Sequence, residues 1–210
     1  MNPFTKFWNW ITRKPTTQTP VKIQVAATKP RSGLDKSQFV DLLKINGITV
    51  RKRDNCLTWA GGMMIDADGS GGNRHGDKYF QSDTTLHYNG KALNAETLPF
   101  IVVPPQVILS VGALVMGCRA VVSFQGIEIE AVVGDCGPPN KIGEASIECA
   151  RRLGIPSSPV NGGLEQSDPR DVTYTIYPGV PAVVDGVVYK LQPAAATARA
   201  VLRRFGVAFP

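Results

Sequence analysis

The sequence predicts a mainly β protein with flanking helices. Short apolar runs rich in Val and Ile recur beyond residue 56, separated by Gly, Pro, Asn and Asp, a pattern typical of strands joined by turns. Six runs carry this pattern: residues 57–65, 100–103, 120–124, 127–133, 172–177 and 182–189. Their short length and regular separation indicate a compact β-barrel or sandwich.

Two pairs of these runs are predicted to form β-hairpins. The runs 120–124 and 127–133 are separated only by Gln125-Gly126. Near the C-terminus, Asp185-Gly186 divides the last run into two halves, and Asp-Gly is a favoured pair in two-residue hairpin turns.

Three helices are also predicted. The pattern of residues 34–47 places apolar side chains on one helical face, with Asp35 as the N-cap and Gly47 as the stop. A second helix is expected over residues 144–153 and a third over residues 194–205, each followed by a glycine.

We divide the chain into an N-terminal tail and linker (residues 1–20), a short helix-containing element (21–53) and a main β-barrel domain with a C-terminal helix (54–210). The tail lacks the apolar core and cleavage site of a secretory signal. Its aromatic and basic residues leave an interfacial anchor as the alternative.

Charge is distributed unevenly along the chain. The whole sequence carries 23 Lys and Arg against 17 Asp and Glu, but residues 1–53 hold eleven basic and two acidic residues, whereas residues 54–190 hold nine basic and fifteen acidic ones. An acidic body attracts cations. We therefore predict no nucleic-acid partner for it. The alternative is a non-enzymatic protein whose basic N-terminal segment binds nucleic acid or an anionic polysaccharide.

The sequence also bears on membranes, zinc and assembly. The longest stretch with little charge, residues 92–119, contains three prolines, which argues against a spanning helix and stable membrane insertion. The four cysteines show no CxxC spacing and only two histidines are present, so a structural zinc site is not expected. We expect a monomer.

The residues with the sharpest chemical pattern are Asp135 and Glu144. An apolar run delivers Asp135 into a turn rich in Gly and Pro, and Glu144 stands where regular structure is expected to resume. Two carboxyl groups on either side of a cleft can hydrolyse a glycosidic bond, one as proton donor and one as base or nucleophile. Capping of a turn and of a helix is the alternative role for the two side chains.

These residues lie in a segment that resembles the glycoside hydrolase family 75 chitosanases. The similar stretches are Gly134-Asp135-Cys136-Gly137-Pro138, the following Ile142-Gly143-Glu144-Ala145-Ser146, the Asp-rich Ile65-Asp66-Ala67-Asp68-Gly69, and residues 98–105 and 172–179. The resemblance runs from about residue 56 to residue 179.

The resemblance implies an endo-acting hydrolase that cleaves β-1,4 linkages between glucosamine units of chitosan with inversion, on a six-stranded double-psi β-barrel and without a cofactor. Asp135 and Glu144 then correspond to the essential pair of the family. An inverting pair is separated by about 6.5–9.5 Å. We assign Glu144 as the acid and Asp135 as the base.

Chitosan carries ammonium groups when its amines are protonated, and carboxylates of the acidic body can bind them. The resemblance places Asp66 and Asp68 among the substrate-binding residues. Trp59 and Tyr88 are the aromatic candidates for stacking on sugar rings, although aromatic side chains in strand-rich segments also serve as core.

Two alternatives remain at this point. Asp66, Asp68 and Asp77 are spaced like ligands of a calcium-binding EF-hand loop, but no flanking helices are predicted. The turn around Cys136 resembles the nucleophile turn of chymotrypsin-like viral cysteine proteases, with His75 or His87 as the base. The sequence leaves the cellular location open.

Overall fold

A computed structural model of the protein describes residues 39–71, 75–111, 114–168 and 171–208. The strands in these residues are β1 (Val40–Ile45), β2 (Ile48–Arg53), β3 (Cys56–Gly61), β4 (Met64–Asp66), β5 (His87–Tyr88), β6 (Lys91–Ala92), β7 (Phe100–Val103), β8 (Cys118–Phe124), β9 (Ile127–Cys136), β10 (Glu144–Ser146), β11 (Val172–Pro181), β12 (Val183–Val184) and β13 (Val187–Val188). The helices are α1 (Pro105–Ser110), α2 (Ile147–Leu153) and α3 (Ala195–Arg204). The tail predicted for residues 1–20 lies outside the described residues.

Nine strands form one mixed sheet that curls into a half-barrel, in the order β1-β2-β3-β11-β8-β9-β7-β10-β4. The pairs β7–β9 and β4–β10 are parallel, and the remaining neighbours are antiparallel. The mainly β prediction is confirmed. The six-stranded double-psi barrel is not confirmed, because nine strands are joined in this sheet.

The core is made mainly of Val, Ile, Leu, Ala and aromatic side chains. Strand β7 is buried along its whole length, as expected for a strand flanked on both sides and covered on both faces. Strand β3 alternates instead, with Leu57 and Trp59 directed into the core. This alternation explains why a strand near the sheet edge carries a buried tryptophan.

Both predicted hairpins are confirmed. Strands β8 and β9 pair around Gln125 and Gly126, with φ values of 47° and 84°. Strands β12 and β13 pair around Asp185 and Gly186, with φ values of 50° and 79°. Positive φ at both central residues is typical of the type I′ turn that matches the strand twist.

The helix predicted over residues 34–47 is wrong for the residues that the structure describes. From residue 40 onward the chain forms the hairpin β1–β2, which turns at Asn46 and Gly47 with φ values of 45° and 86°. Asn-Gly favours this tight turn, and the sheet buries Ile45 and Val50 on one face. Strand β2 also pairs with β3, so the main sheet spans the predicted boundary at residues 53 and 54.

The helix predicted over residues 144–153 begins three residues later than expected. Residues 144–146 form strand β10, and the hydroxyl of Ser146 accepts a hydrogen bond from the Cys149 N–H as the N-cap of α2. Ser is a strong N-cap because its oxygen satisfies one of the free N–H groups of the first turn. Glu144 is therefore a strand residue and not a helix-start residue.

The C-terminal helix is confirmed as α3, which packs against the unpredicted short helix α1. Helix α1 begins at Pro105, whose fixed φ and missing N–H suit a first helical position. Among the described residues, no helix has both the length and the apolar character needed to cross a membrane.

Candidate active site

The two candidate catalytic carboxylates project from strands on either side of β7. Val102 of β7 pairs with Asp135 of β9 on one side and with Glu144 of β10 on the other. Two strand spacings separate the paired residues, so their Cα atoms stand roughly 10 Å apart. Asp135 lies near the end of β9 and Glu144 is the first residue of β10, which brings both to the same end of β7.

A β-bulge sets the orientation of Asp135. The register of β7 against β9 shifts so that Ile101 pairs with Val133 and Val102 pairs with Asp135, which leaves Gly134 unpaired as the extra residue. A Cβ at Gly134 would lie 2.7 Å from a Leu93 methyl and 2.9 Å from Phe100. Glycine is therefore required where the chain bulges, and one extra residue changes the face on which the next side chain lies.

Two further glycines shape the surroundings of Glu144. Gly143 has a φ of 91°, and its carbonyl accepts the Met64 N–H at 2.8 Å, which fixes the start of β10. A Cβ at Gly137 would lie 3.3 Å from Glu144 Oε2 and 2.9 Å from a Val102 methyl. The Glu144 carboxyl group therefore lies close to the backbone of the loop that follows Asp135.

Both carboxylates line one cleft with a volume of about 690 Å³. This volume is within the range of small-molecule and oligomer subsites. The acidic residues that line the cleft are Asp66, Asp68, Asp77, Asp135 and Glu144, and the basic ones are Lys141 and Arg204. The excess of acidic groups gives the cleft a negative potential that favours a cationic ligand.

Asp135 is held by hydrogen bonds that stabilise its ionised form. Its Oδ1 accepts the Thr85 N–H at 2.8 Å, the Thr85 hydroxyl at 2.6 Å and the Cys136 N–H at 2.7 Å. Burial raises the pKa of Asp135, and these hydrogen bonds act in the opposite direction. Sequence reasoning missed Thr85, because a threonine fifty residues from Asp135 carries no local signal.

Glu144 has a different environment. Burial raises its pKa to about 7; the positive charge of Lys141 opposes this shift, and the negative charges of Asp135 and Asp68 add to it. A carboxyl group with this pKa remains protonated in mildly acidic solution, as a general acid requires. Burial thus raises the pKa of both carboxyl groups, and of the two the Asp135 carboxylate is the one held by hydrogen bonds from Thr85 and Cys136.

Asp66 and Asp68 approach Asp135 because the sheet curls. One carboxylate oxygen from each of the three residues lies within 4.8 Å of the others, although Asp66 belongs to the edge strand β4. Asp66 is 6% exposed, and its Oδ2 has no hydrogen-bond partner. Burial and the neighbouring carboxylates raise the pKa of Asp66 well above its usual range, and burial raises that of Asp68 to about 6.

This three-carboxylate cluster differs from the predicted EF-hand loop. It combines Asp66 and Asp68 with Asp135 from another strand instead of with Asp77. Calcium prefers six to eight oxygen ligands in a flexible shell, and three carboxylates offer part of such a set. The same oxygens can also accept hydrogen bonds from an ammonium group.

The aromatic side chains expected to stack on sugars lie elsewhere. Trp59 is 3% exposed and stacks on Tyr174 in the core, with ring centroids 5.4 Å apart. Tyr88 packs against Tyr189 and does not line the cleft. We therefore remove Trp59 and Tyr88 from the candidate substrate-binding set, because neither presents a ring face to the cleft.

Cys136 lines the cleft, but its surroundings do not suit a protease nucleophile. Burial and the neighbouring Asp135 raise the pKa of the Cys136 thiol to about 12, so the thiolate is not formed at neutral pH. His75 lies 2.8 Å from Glu96, and His87 lies 2.6 Å from Asp83. Each histidine has a carboxylate partner, yet neither lines the cleft.

The sequence profile described as fungal chitosanase of glycosyl hydrolase group 75 matches residues 63–203. The match runs from β4 to the penultimate residue of α3 and includes every acidic residue that lines the cleft. The chain belongs to this family. No curated protein matches it. Membership of glycosyl hydrolase group 75 supports a glycoside hydrolase that acts on the polysaccharide chitosan.

The matched residues of this group 75 member contain both strands that carry the carboxylate pair, together with β7 between them. The hairpin β1–β2 and strand β3 lie before the match. The match therefore contains six of the nine strands of the main sheet, including the three that carry Asp135, Val102 and Glu144.

Proposed function

We propose that this protein is an endo-acting glycoside hydrolase that cleaves β-1,4 linkages between glucosamine units of chitosan with inversion, through Asp135 and Glu144. The observation that carries the proposal is the pairing of both residues with Val102, which directs two differently tuned carboxyl groups into one acidic cleft.

Glu144 is the general acid in this proposal. Its buried carboxyl group retains a proton up to a pH of about 7 and donates it to the glycosidic oxygen as the bond to the anomeric carbon breaks. The Glu144 carboxylate left behind is then reprotonated from solvent.

Asp135 is the general base. Its carboxylate removes a proton from a water molecule while the oxygen of that water bonds to the anomeric carbon from the opposite face. The hydrogen bonds from Thr85 and Cys136 keep the carboxylate oriented and favour its ionised state. The Cα atoms of the pair stand two strand spacings apart, and inversion requires that the two carboxyl groups also leave room for a water molecule beside the sugar.

Asp66 and Asp68 are the proposed ammonium-binding residues. The orphaned Oδ2 of Asp66 has room for a donor, and the backbone N–H of Gln81 already fixes Asp68 at 2.6 Å. A protonated glucosamine amine placed between them lowers their pKa values and makes both carboxylates better acceptors. A neutral N-acetyl group carries no positive charge, so it does not lower the pKa values of Asp66 and Asp68.

The test is hydrolysis of chitosan, with chitin, peptidoglycan and casein as the other substrates and product size as the readout. Intermediate oligomers from chitosan are expected, with α-anomeric ends in proton NMR spectra recorded before mutarotation. Cleavage of casein in place of chitosan, or β-anomeric products, would contradict the proposal.

The pair is tested by Glu144→Gln and Asp135→Asn, each expected to reduce kcat by at least about a hundredfold. Added azide should restore turnover to Asp135→Asn, since an external nucleophile replaces the activated water, and not to Glu144→Gln. The exposed residues Glu128 and Asp41 supply the matched controls Glu128→Gln and Asp41→Asn, which should retain wild-type kcat.

A further inference from the structure

The aromatic side chains that line the cleft are Tyr79 and Phe205, and neither belongs to the carboxylate machinery. Tyr79 is 73% exposed and Phe205 is 50% exposed, so both rings are accessible to a ligand in the cleft. Exposed rings beside a polar cleft are suited to stacking on the apolar face of a sugar.

Tyr79 lies on the side of the cleft that carries Asp77 and Asp68, which we call the acidic wall. The carboxylate of Asp77 accepts the Tyr79 N–H at 2.8 Å and fixes the backbone that carries the ring. Asp68 is tied to the same segment through Gln81. The Lys78 ammonium lies 4.9 Å from the ring centroid, a contact that is weak and exchangeable at an exposed site. The carboxylates of Asp77 and Asp68 favour a cationic sugar on this wall, provided that its ammonium group replaces that of Lys78 over the ring.

Phe205 lies on the side of the cleft formed by the C-terminal end of α3, which carries Arg204 and which we call the basic wall. Val201, Arg204 and Phe205 line the cleft at spacings of three and four residues, so they share one face of the C-terminal turn. Ala198 and Leu202 are buried and hold the helix against the body. Arg204 consequently presents a positive charge next to the exposed Phe205 ring.

We propose that the cleft is polarised along the substrate: Tyr79 stacks on a protonated glucosamine unit beside Asp77, and Phe205 stacks on an uncharged N-acetylglucosamine unit beside Arg204. This inference rests on the proposed function and adds a preference for partially acetylated chitosan. Residues 204 and 205 lie just beyond the family match, which ends at residue 203.

The physical reason is charge repulsion. An ammonium group near an exposed guanidinium is disfavoured by several-fold in binding at moderate ionic strength, and acetylation removes that penalty. On the other wall, acetylation removes an attraction to Asp77 and to the face of Tyr79. Each wall thus selects one of the two sugar types.

The stacking role is tested with Tyr79→Ala and Phe205→Ala, each expected to raise KM for chitosan polymer about tenfold with kcat changed less than about twofold. Phe205→Leu, which keeps apolar area without an aromatic face, should behave like Phe205→Ala. The matched control is Tyr88→Ala, an exposed tyrosine away from the cleft. Wild-type KM in both alanine variants, or an equal rise in the control, would overturn the inference.

The charge role is tested with Arg204→Glu, using Arg203→Glu on the same helix as the control because Arg203 is exposed and does not line the cleft. The ratio of kcat/KM for partially acetylated to fully deacetylated chitosan should fall about fivefold in Arg204→Glu and stay unchanged in the control. An unchanged ratio in Arg204→Glu would overturn the proposed selection.

Failure of the proposed function can be distinguished from failure of the stacking inference. If the wild type cleaves no chitosan, calorimetric binding of partially acetylated and fully deacetylated hexamers still reports on the walls, because stacking does not require turnover. About tenfold weaker binding in Tyr79→Ala and Phe205→Ala then supports the stacking inference, and equal binding contradicts it. Absence of both cleavage and binding contradicts both proposals.

Discussion

Thr85 donates both its backbone N–H and its hydroxyl to one oxygen of Asp135, at 2.8 and 2.6 Å. The hydroxyl also accepts the Cys136 N–H at 3.2 Å, so the threonine links the candidate base to the backbone behind it. Two donors on one oxygen fix the carboxylate plane and oppose the effect of burial on the pKa of Asp135.

We predict that Thr85→Val, which removes the hydroxyl and keeps the side-chain shape, lowers kcat by about tenfold. The pKa of Asp135 should rise, because the ionised form loses a donor, and the acid limb of the pH–activity profile should move to higher pH. Kinetics from pH 3 to 8 check both effects. The exposed Thr173→Val on β11 should leave both unchanged; a Thr85→Val variant with wild-type kcat and profile would contradict the positioning role.

The pH profile of chitosan-oligomer hydrolysis should be bell-shaped. Activity needs Asp135 ionised and Glu144 protonated, and the pKa of Glu144 is about 7, so kcat should fall as pH rises through 7. Lys141 lowers the pKa of Glu144, and Lys141→Gln should therefore move the alkaline limb upward. This shift separates Glu144 from the titration of the substrate amines, which the variant does not alter. An alkaline limb that stays in place would exclude Glu144 as the titrating acid.

Glu144→Gln should stabilise the protein at pH 8 while it abolishes activity. The pKa of Glu144 rises from 4.5 to about 7 on folding, so the native state binds more protons between these values and stability falls as pH rises through this window. The full shift corresponds to roughly 3 kcal/mol as an upper value.

Urea unfolding of the wild type and Glu144→Gln at pH 4 and pH 8 measures this effect. The two proteins should have similar free energies of unfolding at pH 4, where Glu144 is mostly protonated in both states, and differ at pH 8. Glu128→Gln serves as the exposed control. Equal stability at pH 8 would show that Glu144 ionises in the folded state without cost.

Cys136→Ser should retain chitosan hydrolysis within about twofold of the wild type. The thiol is partly buried next to Asp135, and its pKa of about 12 keeps it protonated, so it has no role as a nucleophile. Product formation from chitosan and casein provides the measurement. Complete loss of activity in this variant, with retained folding, would favour the cysteine protease alternative.

The parts of the fold that were predicted correctly are determined by residues that lie close together in the sequence. Gln125-Gly126 and Asp185-Gly186 each place two turn-forming residues between apolar runs, and both are hairpin turns in the structure. Asn46-Gly47 carries the same signal, but apolar residues spaced three and four apart directed the prediction toward a helix. Periodicity over so short a segment does not outweigh a tight turn.

The site was predictable only where residues follow a motif along the chain. Asp66, Asp68, Asp135 and Glu144 stand in such segments, and all four line the cleft. Thr85 reaches Asp135, and Tyr79 and Phe205 reach the cleft, through tertiary packing that brings residues distant in the chain together. Trp59 misled the prediction because alternation along β3 turns it inward.

The register against Val102 has a consequence for redesign of the segment between the two carboxylates. Because strand pairing, and not the connecting segment, holds Asp135 and Glu144 apart, we expect a residue inserted within positions 138–140 to leave the spacing of their Cα atoms unchanged.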